Sequence, residues 1–320
     1  MNVRVEARRV VVNALTVDVE DYFQVWAFSR YIPRSKWDDI PARVERNVDL
    51  ILQLLDEAGA RATFFILGWI AERFPQLVRR IVTAGHEVAS HGYAHAKATE
   101  LDQGRFFADI LLAKAILEDV ADVEVKGYRA PSFSIGRGNE LWVYECIVEA
   151  GYRYSSSVYP IRHDHYGIPD APRFPHRWAG DLVEVPITTV RLLNRNWPAG
   201  GGGYFRLLPY AVSRWLIRRV NAVDGWPAIF YFHPWELDPG QPRVAGLDAK
   251  TRFRHYVNLH QTEHRLRRLL GDFRWDRVDR VFLSESAPLS KEVPSGSEAG
   301  ALDGRRKSSG LRLHPSTGGR

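Results

Sequence analysis

The chain begins its ordered pattern with an apolar run, "VVVNALTV" over 10–17, which reads as a buried strand. The spacing then changes. In "PARVERNVDLILQLLDEAGA", Val44, Val48, Ile51, Leu52 and Leu55 recur on one helical face, and Gly59 closes the helix. "ATFFILG" predicts a second strand and 69–84 a helix. "HEVASHG" predicts a third strand, 101–120 a helix, "VKGYRAP" a fourth strand and "NELWVYECIVEAG" a further helix. "YRYSSSV", "LVEVPI" and "PAIFYFH" are strand-like. Residues 250–271 predict one last amphipathic helix, with Tyr256, Leu259, Leu266 and Leu270 on or near one face.

Strands alternating with helices predict an α/β fold with a parallel sheet, either open and doubly wound or closed as a barrel. No Gly-x-Gly-x-x-Gly follows the first strand, which counts against a dinucleotide fold. The alternation breaks over 159–226, a stretch rich in Pro, Gly, Arg and aromatics. Gly200, Gly201, Gly202 and Gly203 are not followed by Lys-Ser/Thr, so the run reads as a flexible loop beside a cleft, not a phosphate loop. Trp178, Trp197, Tyr204 and Phe205 sit among these glycines and prolines, where a loop can offer them to a ligand. Packing onto the fold is the competing role for each.

Composition narrows the field. With 45% hydrophobic residues among 320, the chain can build one large core over 1–285. From Ser286 to Arg320 it turns Ser/Gly/Pro-rich, and this tail is expected to be disordered. The net charge is +6, and the tail supplies +3 of it. No base-reading motif or dense basic stripe stands out, so no nucleic-acid partner is expected. No apolar run reaches the length of a membrane span, and no cleavage site follows the N-terminal apolar run. The single cysteine, Cys146, rules out an internal disulfide and a cysteine-built zinc site.

The candidate chemistry begins at "LTVDVEDYF". Asp18, Glu20 and Asp21 crowd at a strand end, where carboxylates repel unless solvated or neutralised by a cation. Asp18 and Glu20 are two apart and share one side of a strand. "SHGYAH" places His91 and His95 four apart, on one face if the turn is helical. Two neutral imidazoles and one carboxylate, with water completing the shell, form a common catalytic metal site. Arg129 ends the fourth strand before Pro131, and His233 ends "AIFYFH" before Pro234. All these residues lie at the C-terminal ends of predicted parallel strands, the face that carries the active site in α/β barrels.

"LTVDVED", "TFFILGWIAERFPQLVRRIVTAGHEVASHGYAH", "GYRAPSFS" and "FYFHPWELDP" together resemble the successive motifs of the polysaccharide deacetylases, carbohydrate esterase family four. The chain resembles most the branch found in bacterial exopolysaccharide gene clusters, and 252–273 looks like that branch's C-terminal extension. The resemblance covers roughly 12–285 and implies a distorted (β/α) barrel of about seven strands. It also implies roles: Asp18 as general base, His91 and His95 as metal ligands, Arg129 orienting the base, and His233 as general acid. Val19 follows Asp18 where the family usually has a second aspartate, so the third ligand is Glu20 or Asp21, and strand alternation favours Glu20. Asp181 or Glu184 is expected to tune His233. A backbone N–H near Tyr22 is expected to hold the oxyanion, and Pro131, Trp197 and Tyr204 to line the substrate groove.

The implied reaction is metal-dependent hydrolysis of N-acetyl groups on amino sugars of a bacterial polysaccharide or its lipid-linked precursor. Zinc is the default divalent metal, and such a site also accepts cobalt, nickel or iron. The partner is an N-acetylated oligo- or polysaccharide. The expected address is the cytoplasm, with the inner membrane face as a second one. The competing functions are a cyclic-amide hydrolase on the same scaffold and a non-catalytic glycan-binding protein of polysaccharide assembly.

Overall fold

A computed structural model describes residues 11–291 except 137, 165, 179, 180 and 286. The first half alternates as the pattern predicts: β1 (Val12–Val19), α1 (Val44–Glu57), β2 (Thr63–Ile66), α2 (Gly68–Arg73), α3 (Pro75–Thr83), β3 (Glu87–Ser90), α4 (Gln103–Ala121), β4 (Gly127–Tyr128), α5 (Glu140–Glu149) and β5 (Tyr154–Ser155). The second half adds β6 (His176–Arg177), β7 (Val183–Glu184), β8 (Thr189–Leu192), β9 (Arg195–Pro198), α6 (Gly203–Leu207), α7 (Tyr210–Arg219), β10 (Ile229–Phe232), α8 (Ala249–Tyr256), α9 (Leu259–Asp272), β11 (Arg274–Asp276) and α10 (Val278–Phe282).

Seven strands run parallel in the order β10-β1-β2-β3-β4-β5-β7; β6 adds an antiparallel edge, and β11 pairs with β1 in parallel. The sheet curls into a distorted barrel, as expected. Strand alternation divides the side chains between two cores. Leu15, Val17 and Val19 of β1 face out to the helices, with Phe64, Ile66, Phe230 and Phe232. Ala14 faces in, with Phe65, Ala89, Tyr154, Ile187, Ile229 and Tyr231. The even-numbered residues of β1 thus line the interior, and Asp18 continues that row at its C-terminal end.

The barrel seam between β10 and the far side of the sheet is filled by the glycine run. Tyr231 N–H donates to Gly200 O (2.8 Å), Gly202 N–H donates to Tyr231 O (2.9 Å), and Ile229 N–H donates to Thr188 Oγ1 (2.7 Å). The run is therefore not the flexible loop expected from its composition. A Cβ on Gly201 would lie 2.1 Å from Tyr231 O, so the residue's smallness allows two backbones to meet.

Three further expectations change. The helix predicted over 69–84 is two helices, parted at Phe74 because Pro75 cannot continue the first ladder. The helix over 250–271 is also two, parted at Asn258 with φ +53°. The alternation read as broken over 159–226 continues in part, since β6 and β7 belong to the main sheet. Of the expected disordered tail, Ser290 N–H donates to Pro175 O, and 292–320 lie outside the described residues. Cys146 is buried and unbonded to another cysteine, as its apolar surroundings predict.

Candidate active site

A cleft of about 360 Å³ opens where β1, β3 and β10 end. β1 closes on a tight turn, in which Glu20 N–H donates back to Asp18 O (3.0 Å). That turn keeps both carboxyls on the cleft side. Asp21 is directed away. Its carboxylate accepts the backbone N–H groups of Tyr22 (2.8 Å), Arg43 (2.5 Å) and Val44 (2.9 Å), anchoring the start of α1. Burial pushes the Asp21 carboxyl up to about 6, against the pull of those three donors.

His91 and His95 follow β3 on a loop, not on the helical turn their spacing suggests. His95 adopts φ +56°, and this left-handed step turns its ring back toward His91, at 5.3 Å between centroids. One donor atom each from Glu20, His91 and His95 lie within 4.8 Å of one another, and all three residues are buried. Glu20 Oε1 stands 3.4 Å from His91 Nε2 and 3.1 Å from His95 Nε2. Burial opposes ionisation of Glu20, but His95, His233 and His91 outweigh it and hold the carboxyl well below the usual carboxylate range.

These residues fit a metal ion by their own chemistry. His91 Nδ1–H donates to Arg129 O (2.8 Å), because a carbonyl only accepts. That bond fixes the tautomer and leaves the Nε2 lone pair facing Glu20. His95 Nε2 is buried without a hydrogen-bond partner, its contact with Glu20 being misaligned. A buried polar atom left so, beside an acid and a second imidazole, matches a ligand position.

Arg129 is fully buried and donates four hydrogen bonds. Nη1 donates to Asp18 Oδ1 (2.5 Å) and Thr16 Oγ1 (2.9 Å), Nε to Ser156 O (2.9 Å), and Nη2 to Ser156 Oγ (2.8 Å). The guanidinium also lies over the Phe65 ring at 4.1 Å. A carboxylate held this way has its position set by the barrel interior.

His233 lies across the cleft, with Nε2 3.6 Å from Glu20 Oε1. Its Nδ1 contacts Glu236 Oε1 at 2.7 Å, and Glu236 Oε2 accepts from Arg206 Nε at 2.6 Å. Arg206 also donates to the carbonyls of Arg254, His255 and Val257, where α8 gives way to α9. Burial works against the imidazolium, yet Glu20 and Glu236 raise His233 to about 9. Burial would raise Glu236, but Arg206 and His233 hold it at about 2.

Residues 35–154 match the polysaccharide deacetylase family. Those residues form a polysaccharide deacetylase domain. Residues 156–283 match a domain of unknown function, DUF3473. A peptidoglycan-N-acetylglucosamine deacetylase of Bacillus cereus is 33% identical over 95 residues, 30% of this chain and 34% of that protein. A chitooligosaccharide deacetylase of Sinorhizobium fredii is 37% identical over 82 residues, 25% of this chain and 38% of that one. The chain thus spans little more than a third of the length of either relative. A crystal structure from Mycobacterium smegmatis, named for the polysaccharide deacetylases, superposes with a TM-score of 0.57 at 20% identity. It covers 87% of this chain and 91% of that one, and it shares the fold.

The sequence-derived candidates divide. Asp18, Glu20, His91, His95 and His233 meet in the cleft, and Arg129 supports it from below. Tyr204 lines the cleft wall, while Trp197 does not: it pairs with Val190 in the β8–β9 hairpin and is half exposed. Trp178 stacks on Tyr144 at 4.3 Å, and Phe205 packs on Phe230 at 5.0 Å, so both serve packing. Tyr22 and Pro131 are buried outside the lining, and the Tyr22 N–H is taken by Asp21. Neither acid expected beside His233 is there. Asp181 is exposed and pairs with Arg177. Buried Glu184 accepts from Ser157 N–H, Val158 N–H and Tyr144 Oη. Glu236 and Arg206 take the place expected for them. The signal for Glu236 was its position three residues after His233, the reach of a capping box, whereas Arg206 had none.

Proposed function

We propose that this protein is a metal-dependent deacetylase that hydrolyses N-acetyl groups on amino sugars of a bacterial polysaccharide or its lipid-linked precursor. One observation carries this reading. A two-histidine, one-carboxylate cluster lies between an arginine-held aspartate and a carboxylate-held histidine, all facing one cleft. Glu20, His91 and His95 would hold a divalent cation, zinc by default. When bound, it supplies Lewis-acid polarisation of the acetamide and acidifies water.

The chain's own groups do the rest. Arg129 fixes Asp18 Oδ1, so the second carboxylate oxygen is free to take the proton of the attacking water. His233 has Nδ1 engaged by Glu236 and therefore delivers its proton from Nε2, to the leaving amine. Proton removal and proton delivery fall to different residues, as amide hydrolysis requires. Tyr204 and the apolar cleft wall receive the sugar.

The test is acetate release from a panel of N-acetylated oligosaccharides, with elemental analysis of the purified protein. Stoichiometric divalent metal and acetate release abolished by chelation are expected. Ring opening of cyclic amides without acetate release would move the protein to that other class of amide hydrolase. Oligosaccharide binding without turnover in the metal-loaded protein would make it a binding protein.

A further inference from the structure

Residues 187–226 hold six arginines, at 191, 195, 206, 214, 218 and 219, and a single acid, Asp224. This segment is net +5 in a chain of net +6, and with the 286–320 tail set aside as well, the remainder is net −2. Asp224 is itself paired with Arg173 at 2.9 Å. Only Arg206 is drawn into the cleft, by Glu236.

The same segment displays apolar side chains. The β8–β9 hairpin turns on Leu193 and Asn194, at φ +49° and +59°. Asn tolerates that left-handed step, but Leu adopts it at a cost. Leu193 is 95% exposed, so no burial within this chain offsets the cost. On α7, Val212 and Trp215 share one exposed face with Arg219, and Val223 continues it on the following turn. The hairpin base and the end of that helical segment form one rigid unit. Arg173 donates to Thr189 O (2.7 Å) and to Asp224, and Phe174 stacks on Trp226 at 4.8 Å.

From this we infer that the β8–β9 hairpin and the exposed face of α7 dock the protein on an anionic lipid bilayer. Leu193, Val212, Trp215 and Val223 enter the headgroup boundary, and Arg191, Arg195, Arg218 and Arg219 meet the phosphates. Apolar tips ringed by arginine fit an interface that is charged outside and oily beneath. A soluble polyanion would use the arginines and leave Leu193 without a purpose. No described helix is long and apolar enough to cross a membrane, so this contact lies on the surface. The inference gives residues of the second matched region a task separate from the cleft.

The test is co-flotation of the full chain with phosphatidylglycerol/phosphatidylcholine vesicles and with phosphatidylcholine vesicles. Binding to the anionic vesicles only is expected. Arg191→Gln and Arg218→Gln should each lower the partition coefficient about fivefold, the effect of one surface charge. Leu193→Asn suits the turn better and cannot unfold it, yet should weaken binding several-fold at unchanged charge. Trp215→Asp removes the ring and also adds one negative charge, so it should weaken binding further. Three results would overturn the inference: no anionic-vesicle binding; binding that Leu193→Asn and Trp215→Asp leave intact while dextran sulfate competes it away; or a concentration-dependent dimer that Trp215→Asp dissociates.

Discussion

His233 Nδ1 and Glu236 Oε1 stand 2.7 Å apart on a single turn of chain, and the far oxygen of the same carboxylate is clamped by Arg206. The pair aims one imidazole nitrogen away from the cleft and leaves the other for chemistry. Glu236→Gln keeps the shape and removes the charge. Glu236 helps raise the His233 pKa, so its loss lowers that pKa and moves the alkaline limb of kcat to lower pH. We expect kcat to fall by at least ~10-fold with KM little changed, since positioned acid catalysis is worth ~10²–10⁴. An unmoved pH profile would reduce Glu236 to a structural role.

Glu20 and Asp21 are neighbours with different tasks. Glu20→Ala should empty the metal site, measured by elemental analysis. Asp21→Ala should retain the metal and lose stability instead, because three backbone N–H groups lose their acceptor. Each buried donor left unpaired costs about 1–3 kcal/mol. Metal loss in Asp21→Ala alone would reverse the assignment.

Asp18→Asn should keep the metal and lose ~10²–10⁴ in turnover, the usual scale for a missing general base. Arg129→Met should lose both turnover and stability. It leaves the buried Asp18 carboxylate without its partner, a change that typically costs about 3–5 kcal/mol. Thermal melts and acetate assays on both variants separate the two effects.

Tyr204 and Trp197 provide a paired test of the cleft wall. Tyr204→Ala should raise KM for oligosaccharides, while Trp197→Ala should leave kcat/KM as it was, because Trp197 lies on the hairpin outside the cleft. Steady-state kinetics on one substrate suffice. An equal loss in both would return Trp197 to the binding surface.

His86 predicts an acid limb of stability unrelated to catalysis. Its Nδ1 accepts Ala62 N–H at 3.2 Å, and burial, then Arg61 and Arg277, lower its pKa from 6.5 to about 4. Between those values the unfolded chain binds a proton that the folded chain refuses. Its contribution is thus complete above pH 6.5 and is lost as pH falls through 4, by on the order of 3 kcal/mol. His86→Gln keeps an acceptor and should flatten this limb in denaturant titrations across that range.

The local spacing of residues determined much of this protein by itself. Apolar runs and helical repeats marked the strands and helices, because each element buries its own periodic face. Asp18, Glu20, His91, His95, Arg129 and His233 were legible because each sits at or just beyond a strand end, and parallel strands bring their ends to one side. The tertiary structure alone decided what distance in sequence conceals. Arg206 reaches Glu236 and the carbonyls of Arg254, His255 and Val257 across 30 to 51 residues, which no periodicity can encode. The glycine run read as a loop by composition, yet it is a barrel seam, because only the approach of Tyr231 requires its missing side chains. Trp178, Trp197, Tyr204 and Phe205 look alike as aromatics among glycines. Which of them meets a sugar and which fills a core depends on the surface each one faces, and packing alone sets that.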